Sequence, residues 1–495
     1  MIQLHVGVSP INAPTTYMLL LDTGSSNMAM ASSTCCAATK ALATLQLFKC
    51  AASATCAIDP VVERSNVTVT YIASSWTGHV VHDTVAFDDS SFGWSLLEVP
   101  FVAIDNQTRF FRGEFSGVLG LAYDALAQPE RNPTPTFFQT LVHQKQVANV
   151  FSVQLCGILQ PYLFGVVPNR VAGSIVFGGL APPLDTAPPL YHGPLVYTPL
   201  IQANWYTVLV TDFVFNGVPI NAVGGCATYN SPRAIVDSGT TNLIVPPPIY
   251  AALIAAIQSV TLAALPTLSR AYFSDSAVCC DPACDPRNAT SSLLQLPPIE
   301  ISLALQGDDA TRQLTISIPP AYYWRPIAMR SASGTSMCRV LGVAEGSELI
   351  LGTVFMDGLV VVHDRAHDQV GFAVAANCAN GVVSSKSITT SSLVRGGSWC
   401  HCLSPSQQAN NLVGSRLPFV WHWWTYAIIV AAVVLVVSLA VWLWMWLAAR
   451  KKRQRHAAIR RESIHVYLLD PITPPGDEDI GEAGNSAVRG GPSEC

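Results

Sequence analysis

Two stretches of this chain carry a carboxylate in the same nine-residue frame. One reads Leu19-Leu20-Leu21-Asp22-Thr23-Gly24-Ser25-Ser26-Asn27, the other Ala234-Ile235-Val236-Asp237-Ser238-Gly239-Thr240-Thr241-Asn242. In each, an apolar run ends on Asp-[Thr/Ser]-Gly. Such a run reads as a buried strand, and the glycine permits a sharp turn that leaves the carboxylate at the rim of a core. One Asp-Ser-Gly also marks ordinary turns; chance duplication of the whole frame is very rare. Two carboxylates at hydrogen-bond distance do not both ionise readily, because each charge raises the other's pKa. The pair then shares a proton. Its ionised member can act as general base on a water, and its protonated member can donate to a carbonyl oxygen as that becomes tetrahedral. The pair titrates as a unit, so the acid is assigned to neither residue. This chemistry adds water to a carbonyl carbon with no covalent intermediate, metal or cofactor.

The small residues around the aspartates have matching tasks. Gly24 and Gly239 form the turns. Thr23 and Ser238 can hydrogen-bond to the backbone of the opposite motif, while Ser25 and Thr240 can hold the outer carboxylate oxygens. The alternative is that these hydroxyls only cap their own turns.

Each motif is followed by an apolar run that closes on glycine: Ser116-Gly117-Val118-Leu119-Gly120 after the first, Glu348-Leu349-Ile350-Leu351-Gly352 after the second. Self-similarity on this scale implies two homologous halves. Related by a pseudo-twofold axis, they would bring both aspartates to one shared cleft. Short β-like runs such as Asn66-Val67-Thr68-Val69-Thr70-Tyr71 and Gly358-Leu359-Val360-Val361-Val362 dominate the first part of the chain. Helical patterns are few, the clearest at 137–147 and 248–259. The expected fold is mostly β and bilobal, with lobes at 1–190 and 191–381.

Across its 495 residues the chain is 50% hydrophobic and only 12% charged, with a formal net charge of −5. Nothing in that balance suggests nucleic-acid binding. The excess apolar content concentrates at 426–449, which holds no charged residue. At ~1.5 Å per residue this run spans a hydrocarbon core of ~30 Å. Trp421, Trp423 and Trp424 flank its start, Trp442, Trp444 and Trp446 its end, and Arg450-Lys451-Lys452-Arg453 follows at once. Aromatic belts and the positive-inside rule predict a single-pass type I membrane protein: 382–425 a Ser-rich juxtamembrane stalk, 426–449 the transmembrane helix, 450–495 a disordered cytosolic tail.

Of fourteen cysteines, only Cys495 follows the apolar run. That asymmetry fits disulfides in an oxidising lumen or at the cell surface. Cys279, Cys280 and Cys284 lie close together, but no further Cys/His pair completes a zinc-finger spacing, and no metal is expected. Sequons at Asn66, Asn106 and Asn288 fall on the same side. The first residues, Met1-Ile2-Gln3-Leu4-His5-Val6, do not form a signal peptide. Since a luminal domain needs one, the true N-terminus is expected to lie upstream.

The paired motifs resemble those of the pepsin-like aspartic proteases, and the similarity runs over roughly residues 2–378. Within that family the chain looks most like the membrane-anchored β-secretase (memapsin) branch. Val69-Thr70-Tyr71 with Trp76-Thr77-Gly78, Gly120-Leu121-Ala122-Tyr123, Trp205-Tyr206, Tyr323-Trp324-Arg325-Pro326 and Val362-His363-Asp364-Arg365-Ala366 carry the likeness. The resemblance implies an endopeptidase with Asp22 and Asp237 as catalytic dyad, acting on extended segments of luminal or membrane proteins. It implies a flap in which Tyr71 closes over substrate with Trp76 as its hydrogen-bond partner. It also implies disulfides Cys156–Cys378, Cys226 with Cys400 or Cys402, and Cys279 or Cys280 with Cys338. Cys35, Cys36, Cys50 and Cys56 lie where relatives often have a small disulfide loop. Two departures stand out. The flap tip Ile72-Ala73-Ser74-Ser75 lacks the expected glycine, and Ile244 stands where the branch has a substrate-facing arginine, which implies a more apolar subsite. The expected partners are a peptide or membrane-protein substrate and the bilayer, and the expected state is a monomer. The competing expectation is a catalytically silent peptide-binding receptor on the same fold.

Overall fold

A computed structural model describes residues 1–7, 15–35, 46–87, 97–111, 115–157, 173–180, 189–220, 225–274, 276–279, 292–307, 309–331, 334–376, 384–393 and 397–403. The apolar run 426–449 and the tail 450–495 lie outside the described residues.

The repeat seen in the sequence is a repeat of strand pairing. Thr15–Asp22 runs parallel to Gly117–Gly120, with Asp22 opposite Gly120. Gly117–Gly120 also pairs antiparallel with Met28–Ala31. In the second half Ala234–Val236 runs parallel to Leu349–Leu351, which pairs antiparallel with Leu243–Val245. Each apolar run thus threads between the strand before an Asp turn and the strand after it. Strands paired on both edges and covered on both faces need apolar side chains throughout. Val118, Leu119, Leu349 and Leu351 are all fully buried. The closing glycines are steric requirements: a Cβ on Gly120 would lie 2.5 Å from the Ser26 carbonyl carbon, and one on Gly352 would collide with the Asn242 and Thr240 carbonyl oxygens.

These motifs sit in separate sheets, one of eight strands in the first half and one of six in the second. A third sheet draws strands from both halves, in the order Gly173–Phe177, Val150–Leu155, Leu359–Asp364, Gln369–Ala375, Tyr191–Pro199, antiparallel throughout. His363 lies at its centre, fully buried, stacked on Phe151 at 4.6 Å and edge-on to Tyr206 at 4.4 Å. Burial, with the nearby Arg365 guanidinium, pulls its pKa from 6.5 down to about 3. Below pH 6.5 the unfolded chain therefore binds a proton that the native protein refuses. Stability is untouched above pH 6.5 and is lost as the pH falls towards 3, by up to about 5 kcal/mol. His363→Phe, which keeps the stack, is expected to move the acid-unfolding midpoint to lower pH with little change at pH 7. An unchanged acid midpoint by circular dichroism would rule this account out.

The helices expected at 137–147 and 248–259 occupy Phe137–Lys145 and Pro247–Ala264. Proline is tolerated in the first turn, where its missing N–H has no partner to lose. Pro247–Ala264 is long and apolar enough to cross a membrane by length and composition, but its stripe of Ile249, Leu253 and Ile257 is buried in the core.

The expected stalk boundary needs correction. Ser387–Ser392 is an edge strand, antiparallel to Arg312–Ile318 with Leu314 opposite Thr390. Trp399 and Cys402 are buried beyond it. The folded part therefore extends past 381 to at least Leu403. Its Ser/Thr-rich composition concealed this, because an edge strand facing water on one side needs few apolar residues.

Disulfides join Cys50 to Cys56, Cys226 to Cys402 and Cys279 to Cys338. Where the sequence left two choices, tertiary structure takes Cys402 over Cys400 and Cys279 over Cys280. Cys156 and Cys400 are also disulfide-bonded; Cys378 and Cys280 lie outside the described residues. The Asn66 and Asn106 side chains are exposed, and Asn288 lies outside the described residues.

Candidate active site

Asp22 closes its strand and Asp237 follows Ala234–Val236, so matching pairings carry both to matching turns. They are 5% and 6% exposed. The Gly24 N–H donates to Asp22 Oδ1 at 2.9 Å and the Ser25 hydroxyl to Oδ2 at 2.5 Å. The Gly239 N–H donates to Asp237 Oδ1 at 2.7 Å and the Thr240 hydroxyl to Oδ2 at 2.6 Å. Each carboxylate is thus fixed by its own turn.

The turns also interlock. Thr23 Oγ1 accepts the Ser238 N–H at 2.9 Å and donates to the Val236 carbonyl at 3.1 Å. Ser238 Oγ accepts the Thr23 N–H at 3.1 Å and donates to the Leu21 carbonyl at 2.9 Å. Both hydroxyls are buried, so each bond excludes water and replaces one that would otherwise be missing. Each glycine makes room for the opposite aspartate. A Cβ on Gly24 would lie 2.6 Å from Asp237 Cγ, and one on Gly239 would collide with Asp22 Oδ1.

The two carboxyl groups are within hydrogen-bond reach of each other. Burial, and then the neighbouring Asp237 charge, push Asp22 well above the usual carboxylate range, against the Ser25 and Gly24 donors that favour its ionised form. A pair in this state can hold one proton between two acids.

Near the pair, the hairpin of Val67–Thr70 and Ser75–Ala86 carries Tyr71, which feels the charge of both aspartates. Its turn is closed by the Tyr71 N–H donating to Ser74 O at 2.7 Å. The Tyr71 ring stacks on Phe110 at 5.4 Å, and buried Trp76 donates from Nε1 to the Tyr71 hydroxyl at 3.3 Å. That hydroxyl also reaches the Ser25 side chain, and burial with the Asp22 charge pushes its pKa up, keeping the phenol protonated. Ile72, beside it at the tip, is 73% exposed. Ile244 is half-buried on Leu243–Val245, and a Cβ on Gly346 would collide with its Cγ2.

Sequence reasoning did not assign Trp205, Arg233 or Glu348 to this site. Trp205 donates from Nε1 to the Gly24 carbonyl at 3.0 Å. The Arg233 guanidinium lies 3.8 Å from the Trp205 ring and pairs with Glu348. No local pattern marks these contacts, since the partners lie far apart in the chain. Elsewhere Cys226, Cys402 and His401 cluster within 4.8 Å; the two sulfurs are bonded to each other and offer no thiolate to a metal.

Residues 2–375 match the family model for eukaryotic aspartyl proteases. The chain belongs to that family. It is 29% identical over 380 residues to a protein named Beta-secretase from Strongylocentrotus purpuratus, a match covering 73% of this chain and 64% of that relative. It is 26% identical over 384 residues to Gastricsin from Homo sapiens, covering 76% of this chain and 81% of the relative. The chain therefore spans less than two thirds of the Beta-secretase relative.

Proposed function

We propose that this protein is a bilobal aspartic endopeptidase, with Asp22 and Asp237 as its catalytic dyad at the junction of two homologous lobes. The observation that carries this reading is the pair of buried carboxylates held by interlocked Asp-[Thr/Ser]-Gly turns. Membership of the aspartyl protease family supports it. A water held between the carboxylates loses a proton to the ionised aspartate as it attacks the scissile carbonyl, while the protonated one donates to the carbonyl oxygen. The proton shared by the pair then passes to the leaving amine. Tyr71 and the hairpin act as a flap that covers an extended peptide and excludes water. With Asp22, Asp237 and Tyr71 all in place, the silent-receptor reading is the weaker one.

The substrates we assign are extended segments of luminal or membrane proteins. Disulfides among the described residues and the cysteine asymmetry support an oxidising compartment for the catalytic domain. We place a single membrane span at 426–449, with a cytosolic C-terminus and a monomeric chain. The test uses full-length protein in detergent: it should cleave a peptide library at acidic pH and be blocked by a hydroxyethylene-type tetrahedral mimic. Saturable peptide binding without turnover would favour the receptor reading instead.

Ile244 bears on specificity. An apolar side chain there favours apolar residues in the neighbouring subsite, and Ile244→Arg is expected to shift preference towards acidic ones by about tenfold in kcat/KM. Library profiling of the two enzymes checks this; identical profiles would remove Ile244 from the subsite.

A further inference from the structure

Lys386 is an ammonium-bearing residue only 4% exposed. It lies beyond the residues 2–375 that match the family model, in the stretch whose composition reads as stalk. Its Nζ donates to the Val354 carbonyl at 2.9 Å and the Phe355 carbonyl at 2.5 Å. These belong to the one-turn helix Thr353–Met356. The Tyr322 ring lies 4.3 Å from Nζ, and the buried Asp357 carboxylate opposes the effect of burial, which pulls the ammonium down. Ser384 Oγ accepts the Lys386 N–H and the Tyr322 hydroxyl, both at 3.3 Å.

The other end of the same helical turn grips the second aspartate loop. Thr353 donates to the Thr240 carbonyl from its N–H at 2.7 Å and from Oγ1 at 3.1 Å. The Val354 N–H donates to the Thr241 carbonyl at 2.9 Å. Thr240 in turn holds Asp237 Oδ2 at 2.6 Å. Hydrogen bonds, joined by the short stretches of backbone between them, thus connect Lys386 through the Thr353–Met356 turn and Thr240 to one carboxylate of the pair. A buried charge is costly unless its bonds are satisfied, and here its donors are spent on the helix that bears on that loop. Packed, hydrogen-bonded connections of this kind are the routes by which coupling between distant groups is carried.

We propose that Lys386 is a positioning residue for Asp237, setting the geometry of the carboxylate pair through the Thr353–Met356 turn. This rests on the endopeptidase reading. Small misplacements far from the reacting atoms can lower rates by as much as ~10²-fold. In full-length protein, with sites counted by titration with a tight-binding tetrahedral mimic, Lys386→Met is expected to lower kcat per site about tenfold, with KM within about twofold. Affinity for the mimic should weaken by a similar factor. Lys386→Arg, which can still donate to both carbonyls, should recover most of the loss, and Lys386→Gln, with donors but no charge, should lie between. Ser384→Ala leaves the ammonium in place and should lower Tm without lowering kcat.

Unchanged kcat per site in Lys386→Met, with only a lower Tm, would make Lys386 a structural bolt and overturn the proposal. So would a Ser384→Ala loss of kcat as large as that of Lys386→Met. If Lys386→Met does not fold, Lys386→Gln and Lys386→Arg decide on the same readouts. A wild type that binds the mimic but turns nothing over fails the endopeptidase reading alone; Lys386 is then judged on mimic affinity.

Discussion

Asp237→Asn should lower kcat by about 10⁴-fold or more while leaving the fold intact. Asparagine is nearly isosteric, and the Gly239 N–H still has an oxygen to donate to. What disappears is the shared proton and the negative charge that turns a bound water into a nucleophile. General acid–base catalysis alone contributes ~10²–10⁴-fold, and here both roles fall on one pair. A second effect follows from the same substitution. Asp237 is one of the two causes that raise Asp22. Without it the Asp22 pKa should fall back part of the way, and whatever activity remains should titrate at lower pH. Relief of like-charge repulsion in a buried pair should also raise Tm, since active sites commonly sacrifice stability for function. The measurement is single-turnover cleavage of a fluorogenic peptide, with a melting curve on the same preparation. Residual turnover within about tenfold of wild type would remove Asp237 from the chemistry.

Thr23→Val should show the next largest effect, and on stability as well as rate. Valine matches threonine in shape but has no hydroxyl. The Ser238 N–H loses its acceptor and the Val236 carbonyl loses its donor, both in a buried site. Each orphaned group costs ~1–3 kcal/mol, so a total loss of about 2–6 kcal/mol is expected from urea unfolding. Because these bonds join turns that belong to separate sheets, kcat on titrated sites should fall as well. Thr23→Ser keeps the hydroxyl and should stay close to wild type on both measures. If Thr23→Val proves as stable and as active as wild type, the interlock does not hold the pair.

Part of this site was legible in the sequence because repetition substitutes for distance. The motifs at Asp22 and Asp237 announce themselves as a pair, and once they are paired the short hydroxyls beside them have only a few groups to reach. Tyr71 and Trp76 were found by resemblance, five residues apart on one hairpin. The likeness included Trp205 without giving it a role, and Arg233 and Glu348 not at all, since what relates the three to Gly24 is a hydrogen bond, a ring contact and an ion pair between residues far apart in the chain.

The duplicated Asp turns, the mostly-β character and the apolar strands that close on glycine are all legible along the chain. Strand period, turn chemistry and steric room at glycine are local properties, and the chain states them locally. Tertiary structure decided the rest. It joined Cys226 to Cys402 rather than Cys400, and Cys338 to Cys279 rather than Cys280, since each sulfur forms one such bond. It placed Ser387–Ser392 on a sheet edge and buried Lys386 against the turn that grips Thr240. It put His363 at the centre of a sheet built from both halves, where burial and a neighbouring guanidinium reverse its ordinary preference for a proton in acid. Burial, and the choice between two adjacent partners, depend on what arrives from far along the chain.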